Sequence, residues 1–256
     1  MNYGMLGRIV ATGAVLALSP ALFAQGRGGP GGPPPPARTA APFDPTGYWV
    51  SMIVDEWRFR VDPQKGDIPY LPINAAARQL AMAWDPAQDE ADGKQCKAYG
   101  AVGVMQRPGR LHVTWQDDNT VKVEADAGTQ TRTLHFGAAP AEKGAPSWQG
   151  YSVAQWQVPG QGRGRGAPLP PGAGTLKVTT TNMLPGYLRK NGVPYSGNAV
   201  LTEYINHLAG GQNEEYIVVT AVLDDPTYLN QPFVRSYQFK KQADDKGWSP
   251  TPCWAK

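Results

Sequence analysis

Two charged residues, Arg132 and Glu203, occur where strand-like segments carry apolar side chains. In the segment TQTRTLHF, Arg132 lies on the same side of the alternation as Leu134. In AVLTEYINHL, Glu203 lies on the same side as Leu201. Because alternate residues of a strand point to one face, both charges are predicted to face the interior. A buried charge is unfavourable unless it is paired, so we expect Arg132 to pair with Glu203.

Such a pair could do three different things. It could be a structural ion pair on the floor of a barrel, without a ligand. It could be the polar anchor of an apolar pocket, where the guanidinium binds a carboxylate, hydroxyl or carbonyl group. Glu203 could also be a general acid or base whose pKa is shifted by burial. Asp225 is a second candidate acid, because it alternates with Leu223 and is predicted at the rim of the barrel.

The residue spacing gives little support for metal binding or for a serine hydrolase. The three histidines, His112, His135 and His207, lie alone on different strand-like segments, so no metal site is expected. Ser152 lies in a strand-like run rather than in the Gly-x-Ser-x-Gly turn of a hydrolase. We therefore expect neither a metal nor another cofactor.

The elements that position these residues are predicted to be strands. They form an all-β, antiparallel up-and-down meander that closes or curls into a barrel, because closure protects the strand edges. A two-sheet sandwich is the alternative. One short helix is predicted at 75–84, with Asn74 as its N-cap and Asp85-Pro86 after it. The expected strands are 47–61, 110–116, 120–126, 129–136, 148–158, 174–183, 199–208, 215–225 and 233–242.

The N-terminal region has the pattern of a secretory signal. Arg8 precedes an apolar stretch, and small residues follow, so residues 1–24 are predicted to be a signal peptide cleaved near Ala24. The apolar stretch is short for a membrane span. Residues 25–42 are rich in glycine and proline and are predicted to be a disordered spacer. A single domain is expected at 43–256, with a flexible loop at 159–173.

Export makes a disulfide between Cys96 and Cys253 the natural expectation for the two cysteines. We expect the protein in the periplasm or outside the cell. Removal of Arg8 with the signal leaves 23 basic and 21 acidic residues. This near balance of charge predicts no nucleic-acid partner. The oligomeric state stays open.

Two resemblances extend this interpretation. Gly47-Tyr48-Trp49 and Arg235 resemble the Gly-x-Trp motif and the final-strand arginine of the lipocalins, which implies a lipocalin-like barrel. Most of residues 44–254 resembles a large family of uncharacterised secreted bacterial proteins, in which a histidine often replaces Tyr151 and Tyr195 and an arginine replaces Tyr204. The residues that carry this resemblance are Trp84-Asp85-Pro86, Cys96, Arg107 to Arg110, Trp148 to Trp156, Leu176 to Thr181, Glu203 and Asp225-Pro226.

We therefore expect an exported barrel that binds a small, largely apolar ligand in its interior. Arg132 and Glu203 would orient the ligand, together with the tyrosines Tyr151, Tyr195 and Tyr204. One alternative is an enzyme on the same scaffold, a lyase, isomerase or hydrolase, in which Glu203 or Asp225 works with Tyr151. Another is an envelope interaction protein that docks a partner through 25–42 or 159–173.

Overall fold

Nine strands close into a barrel. The computed structural model describes residues 34–53, 63–140, 143–159 and 172–255. The barrel strands are β1 (Gly47–Met52), β2 (Arg110–Asp117), β3 (Thr120–Ala125), β4 (Gln130–Phe136), β5 (Tyr151–Gln157), β6 (Thr175–Thr181), β9 (Val200–Ala209), β10 (Glu215–Asp224) and β11 (Phe233–Gln242). A separate hairpin contains β7 (Gly186–Arg189) and β8 (Val193–Tyr195). Around the barrel the strands follow the order β1-β11-β10-β9-β6-β5-β4-β3-β2.

The prediction of an all-β barrel is confirmed, but the expected purely antiparallel order is wrong at one position. β4 and β5 run parallel, with Leu134 opposite Ser152. A closed ring with an odd number of strands cannot alternate in direction throughout, so one neighbouring pair must be parallel. A parallel pair needs a long connection, and 14 residues, 137–150, lie between β4 and β5 in the sequence.

The predicted first strand and the helical region also differ in detail. β1 ends at Met52, and residues 54–61 of the predicted strand lie outside the described residues. Helix α1 spans Ala75–Ala83, and the Asn74 side chain accepts a hydrogen bond from Ala77 N, as predicted. A second helix, α2 (Pro86–Ala91), follows it, although the sequence predicted only one helix.

The second helix begins at the same dipeptide that ends the first helix. Asp85-Pro86 ends α1, yet the Asp85 side chain also accepts from Ala87 N and caps α2. Proline at the first helical position needs no hydrogen bond to its nitrogen. The described residues also contain three short 3-10 helices, at Gln95–Tyr99, Val104–Gln106 and Gly211–Asn213.

One end of the barrel is covered by what we call the cap, residues 63–109 and 182–199. These segments follow β1 and β6, which end at the same end of the barrel. The cap contains α1, α2 and the β7–β8 hairpin. Ile73 forms a β-bridge with Leu229 beyond β10. Gly192 has a positive φ and lies so close to the Trp84 ring that a Cβ there would collide with it, so a glycine is needed where the hairpin meets the end of α1.

The opposite end is covered by what we call the strap, residues 36–43. Ala37 N donates to Asn119 Oδ1 at the β2–β3 turn, and Trp156 Nε1 donates to Ala37 O. Phe43 is buried and lies edge-on against Trp156, with ring centroids 5.2 Å apart. Residues 37–42 therefore lie on the barrel, although the sequence predicted them as part of a disordered spacer.

The cap is also linked covalently to the C-terminal segment. Cys96 in the cap forms a disulfide with Cys253, with the two Cα atoms 5.1 Å apart. Thr251 N donates to Asp126 O next to the β3–β4 turn. The predicted disulfide is thus present, and it joins the cap to the turn region of the barrel.

Contacts divide the chain into two compact units, Met1–Pro34 and Pro35–Lys256, and the described residues from Pro35 onward belong to the second. Among the described residues, no helix is both long and apolar enough to cross a membrane. The core contains inward side chains of the barrel strands, of which Trp49, Leu176, Val178, Val219 and Phe239 are among the most completely buried.

Candidate functional site

Arg132 and Glu203 form a doubly hydrogen-bonded ion pair inside the barrel. Arg132 Nη2 lies 2.7 Å from Glu203 Oε2, and Nη1 lies 3.2 Å from Oε1. The two side chains are only 3% and 2% exposed. Two parallel N–H···O bonds between a guanidinium and a carboxylate are stronger and more directional than a single bond. The pairing suggested by strand alternation is therefore present.

The guanidinium reaches Glu203 by passing over two intervening strands. Arg132 lies on β4 and Glu203 on β9, and β5 and β6 lie between them. On those two strands the inward residues near the guanidinium are Ser152 and Thr180. Both are small, so the long arginine side chain has room above them. We call these four residues the polar belt.

The belt is internally hydrogen-bonded. Arg132 Nη2 is 3.2 Å from Thr180 Oγ1 and 3.4 Å from Ser152 Oγ, and the two hydroxyl oxygens are 2.8 Å apart. Arg132 Nε, in contrast, has no hydrogen-bond acceptor among the residues that the structure describes. A buried N–H group without an acceptor is unfavourable, so this atom is a donor that a bound polar group could use.

A second group of arginines lies toward the cap. Arg235 on β11 has the inward parity of Phe233 and Tyr237. It is the register partner of Ala221, which in turn is the partner of Glu203. Arg235 and Glu203 therefore lie on one inward row, separated by the small side chain of Ala221.

Two cap arginines are close to the same region. Arg107 and Arg189 are buried, and the charges of Arg235 and Arg107 act on Arg189. Burial, and then these two neighbouring charges, lower the pKa of Arg189 from its usual 12.5 to about 10. The guanidinium therefore stays protonated at neutral pH. We call Arg107, Arg189 and Arg235 the arginine cluster.

The Tyr237 hydroxyl lies within electrostatic range of the arginine cluster and of Glu203 in the polar belt. Its ring is buried on the inward face of β11, and the charges of all three clustered arginines and of Glu203 act on its hydroxyl. Burial is the main reason that the pKa of Tyr237 is raised above its ordinary value. The hydroxyl is therefore a neutral hydrogen-bonding group at neutral pH.

The three tyrosines predicted to contact the ligand lie elsewhere. Tyr151 and Tyr204 have outward parity on their strands. The Tyr151 ring stacks on His135 with centroids 4.9 Å apart, and Lys177 lies 5.9 Å from the Tyr204 ring. Tyr195 is buried in β8 of the cap rather than in the barrel wall. The structure therefore does not bring these three side chains together with Arg132.

Asp225 is buried just beyond the end of β10, close to the rim as expected, but its oxygens bind the chain itself. They accept hydrogen bonds from Ser196 N and Ser196 Oγ, both at 2.7 Å, and from Thr227 N at 3.0 Å. Three hydrogen-bond donors from the protein therefore stabilise this carboxylate, as is typical of a structural role. The carboxylate thus fixes the cap to the barrel rim, which leaves it poorly suited to act as a general base.

Sequence reasoning overlooked a further buried carboxylate. Asp89 in α2 accepts hydrogen bonds from Trp84 Nε1 at 2.9 Å, Lys97 Nζ at 2.8 Å and Tyr187 Oη at 2.6 Å. This network links α2 to the 3-10 helix and to β7 within the cap. No local pattern in the sequence indicated the partners of Asp89, which are as far as 98 residues away.

The arginine cluster was also missed, although one signal was available. Arg235 alternates with Phe233 and Tyr237, the same argument that identified Arg132. Arg107 and Arg189 lie outside regular barrel strands, where alternation gives no information.

The described residues contain no group of three or more histidine, cysteine or acidic side chains suited to holding a metal ion. Comparisons with protein-family models, curated proteins and solved structures gave no match to this chain.

Proposed function

We propose that this protein is exported and binds a small, largely apolar ligand inside its barrel, where the polar belt orients the ligand. The observation that carries the proposal is the Arg132–Glu203 pair, which is buried inside a barrel whose core side chains are mostly apolar. A purely structural core gains little from such a pair, because removing two charges from water offsets most of their attraction. A pocket that recognises a polar group on an apolar molecule needs a few fixed polar side chains.

The state of Glu203 favours binding over acid catalysis. Both of its carboxylate oxygens accept hydrogen bonds from the Arg132 guanidinium. With both oxygens held by the guanidinium, the carboxylate is poorly placed to exchange a proton with a substrate. In contrast, Arg132 Nε has no acceptor among the described residues, so it is a donor that a ligand oxygen could use.

Export is supported by two features. The N-terminal 24 residues have the composition of a signal peptide. The Cys96–Cys253 disulfide is a bond that persists in oxidising compartments and is rare in the cytosol.

Native mass spectrometry tests both parts of the proposal. The protein would be purified without reducing agent from the periplasm of cells that express the full chain. We expect a chain that begins near Gln25 and carries a small-molecule mass. The retained mass should be absent from an Arg132→Met/Glu203→Gln double variant.

An outward ion pair supplies the matched control. Lys122 and Glu124 lie 3.0 Å apart on β3 and are partly exposed, so Lys122→Met/Glu124→Gln removes the same two charges outside the barrel. This control should keep the bound mass. A bare wild-type protein that also fails to bind apolar probes would overturn the binding proposal, and an uncleaved N-terminus would overturn export.

A further inference from the structure

We infer that the strap is the gate of the barrel: a ligand enters and leaves at the strap end, and the Phe43 side chain holds the strap shut. This inference rests on the proposed interior binding and deepens it by assigning the route to the interior. Two observations carry it, namely a difference in burial between the two ends of the barrel and the way in which the strap is attached.

The inward side chains are buried at the cap end of the barrel and partly exposed at the strap end, which we call the mouth. β2, β5 and β9 each show this difference along a single inward row. The buried residues near the cap are Leu111, Ser152 and Leu201, and the partly exposed residues of the same rows near the strap are Trp115, Trp156 and His207. Because all three rows point into the barrel, their exposed ends mark an opening.

The cap end, in contrast, is closed by contacts that are costly to break. The disulfide between Cys96 and Cys253 ties the cap to the C-terminal segment. At the rim, the Asp225 carboxylate accepts hydrogen bonds from Ser196 N and Ser196 Oγ. Opening this end would leave a buried carboxylate without its donors, which is unfavourable. The mouth is therefore the end at which a ligand can pass.

The strap crosses the mouth as a cover. On one side Arg38 N donates to Asp118 O in the turn between β2 and β3. Phe43 lies against side chains of β5 and β9, and the chain then returns to β1, which pairs with β2. In the order of strands around the ring, β5 and β9 lie opposite β1 and β2. Residues 39–42 therefore bridge the mouth from one side to the other.

Phe43 is the latch on the far side of the mouth. Its buried ring lies edge-on against Trp156 and stacks on His207, with ring centroids 5.2 and 5.5 Å apart. Glu215 Oε2 lies 3.1 Å from His207 Nε2 and also accepts a hydrogen bond from Lys241 Nζ, so the imidazole ring is held in place. An apolar ring can leave such a slot and return without breaking a covalent bond or stranding a buried charge. Segments that cover binding sites open through contacts of this kind.

Stopped-flow fluorescence with the neutral probe N-phenyl-1-naphthylamine measures passage through the gate. Mixing the probe with the full exported chain gives the association rate constant, and dilution into β-cyclodextrin, which traps released probe, gives the dissociation rate constant. In Phe43→Ala the latch is lost and the strap is open for more of the time. We expect both rate constants to rise about tenfold or more and Kd to change by less than about twofold, because a gate alters rates without altering the bound state.

A control variant shows whether a change at the mouth is enough to alter the rates. Leu208→Ala removes an exposed apolar side chain near the same end of β9, and it should leave both rate constants unchanged. Thermal unfolding of each variant confirms that it is folded.

A covalent lock beside the latch gives the opposite test. A Cβ atom at Gly174, the residue before β6, would lie 2.8 Å from Pro42 Cβ, so cysteines at the two positions are close enough to join after a small shift. In oxidised Pro42→Cys/Gly174→Cys, whose extra disulfide is verified by mass, both rate constants should fall about tenfold or more. Pro42→Ser/Gly174→Ser introduces side chains of similar size without the bond and should keep faster rates. If Phe43→Ala does not fold, this comparison still decides the question.

The outcomes separate the gate from the binding itself. Probe binding whose rate constants are unchanged in Phe43→Ala, or are not slowed by the lock, would overturn the gate and leave interior binding intact. A Phe43→Ala variant with weaker affinity and an unchanged association rate constant would also overturn it, because Phe43 would then belong to the binding site. If the wild type does not bind the probe, the proposed function fails, and the inference fails with it.

Discussion

Arg132 and Glu203 are 71 residues apart in the sequence, yet two parallel hydrogen bonds join their side chains across the interior of the barrel. The pair spans four neighbouring strands, β4, β5, β6 and β9. It therefore connects the part of the ring that contains the parallel pair with the part that follows the cap hairpin. Its energetic role and its proposed binding role can be separated by mutation.

Removal of one partner of this pair should cost much more stability than removal of both. Arg132→Met leaves a buried, unpaired carboxylate, and we expect the free energy of unfolding to fall by about 3–5 kcal/mol. In the double variant Arg132→Met/Glu203→Gln no charge is buried, so the loss should be clearly smaller. Urea unfolding of the wild type, Arg132→Met, Glu203→Gln and the double variant gives the coupling energy. Losses that simply add would contradict the direct pairing of the two side chains.

The disulfide should stabilise the folded chain strongly because it closes a long loop. Cys96 and Cys253 are separated by 157 residues, for which the chain-entropy estimate is about 5 kcal/mol. Cys96→Ser/Cys253→Ser should lower the unfolding temperature, and dithiothreitol should lower that of the wild type. The double variant serves as the control, since the reductant should leave it unchanged. If dithiothreitol did not change the unfolding temperature of the wild type, the result would contradict this account.

The strap should contribute to stability through one aromatic side chain. Phe43→Ala removes a buried ring that contacts Trp156 and stacks on His207, with centroids 5.5 Å apart. We expect a loss of about 3 kcal/mol and a change in tryptophan fluorescence. Arg38→Ala is the matched control, because Arg38 is exposed in the same segment and contacts the barrel through its backbone. Equal effects of the two substitutions would argue against an anchoring role for Phe43.

Asp89 should make the stability of the cap depend on pH in the acid range. Burial alone would raise the pKa of Asp89, but hydrogen bonds from Lys97, Tyr187 and Trp84 outweigh it and lower the pKa below 3.8. A carboxyl group with a lowered folded pKa stabilises the protein above its unfolded pKa, and this stabilisation is lost as the pH falls through the folded pKa.

The comparison of the wild type with Asp89→Asn measures this contribution. At pH 7 the variant should be less stable, and the difference should shrink below about pH 4. Asp92→Asn is a suitable control, because Asp92 lies one residue beyond α2 and is more exposed. A stability difference that stays constant from pH 7 to pH 3 would show that the charge of Asp89 is not what the cap needs.

Much of the barrel could be predicted because strand alternation is a local property of the sequence. β11 (Phe233–Gln242) matches its predicted bounds, and the β2–β3 hairpin follows the turn signal at Asp117-Asp118-Asn119. The inward direction of Arg132 and Glu203 follows from the same alternation. Their pairing required one more step, namely that two buried charges of opposite sign stabilise each other.

The features that were missed depend on long-range contacts. The parallel β4–β5 pair follows from closure of a nine-strand ring, and the strand count at closure is not a local signal. The three tyrosines were named as ligand contacts, although the parity of Tyr151 and Tyr204 puts them on the face opposite to that of Ser152 and Glu203. Residues 37–42 of the strap were assigned to the disordered spacer because glycine and proline dominate residues 25–36, and that composition gave no sign of the hydrogen bonds that Ala37 makes with the barrel.

The most direct test of interior binding enlarges a side chain next to Glu203 without changing any charge. Ala221→Leu enlarges an inward residue of β10, and Val222→Leu enlarges its outward neighbour on the same strand. The affinity of each folded variant for N-phenyl-1-naphthylamine would be measured by fluorescence titration, with thermal unfolding as the check on folding. The account predicts that Ala221→Leu weakens binding at least tenfold, about 1.4 kcal/mol, and that Val222→Leu binds like the wild type. Unchanged binding by a folded Ala221→Leu variant would contradict a ligand site inside the barrel.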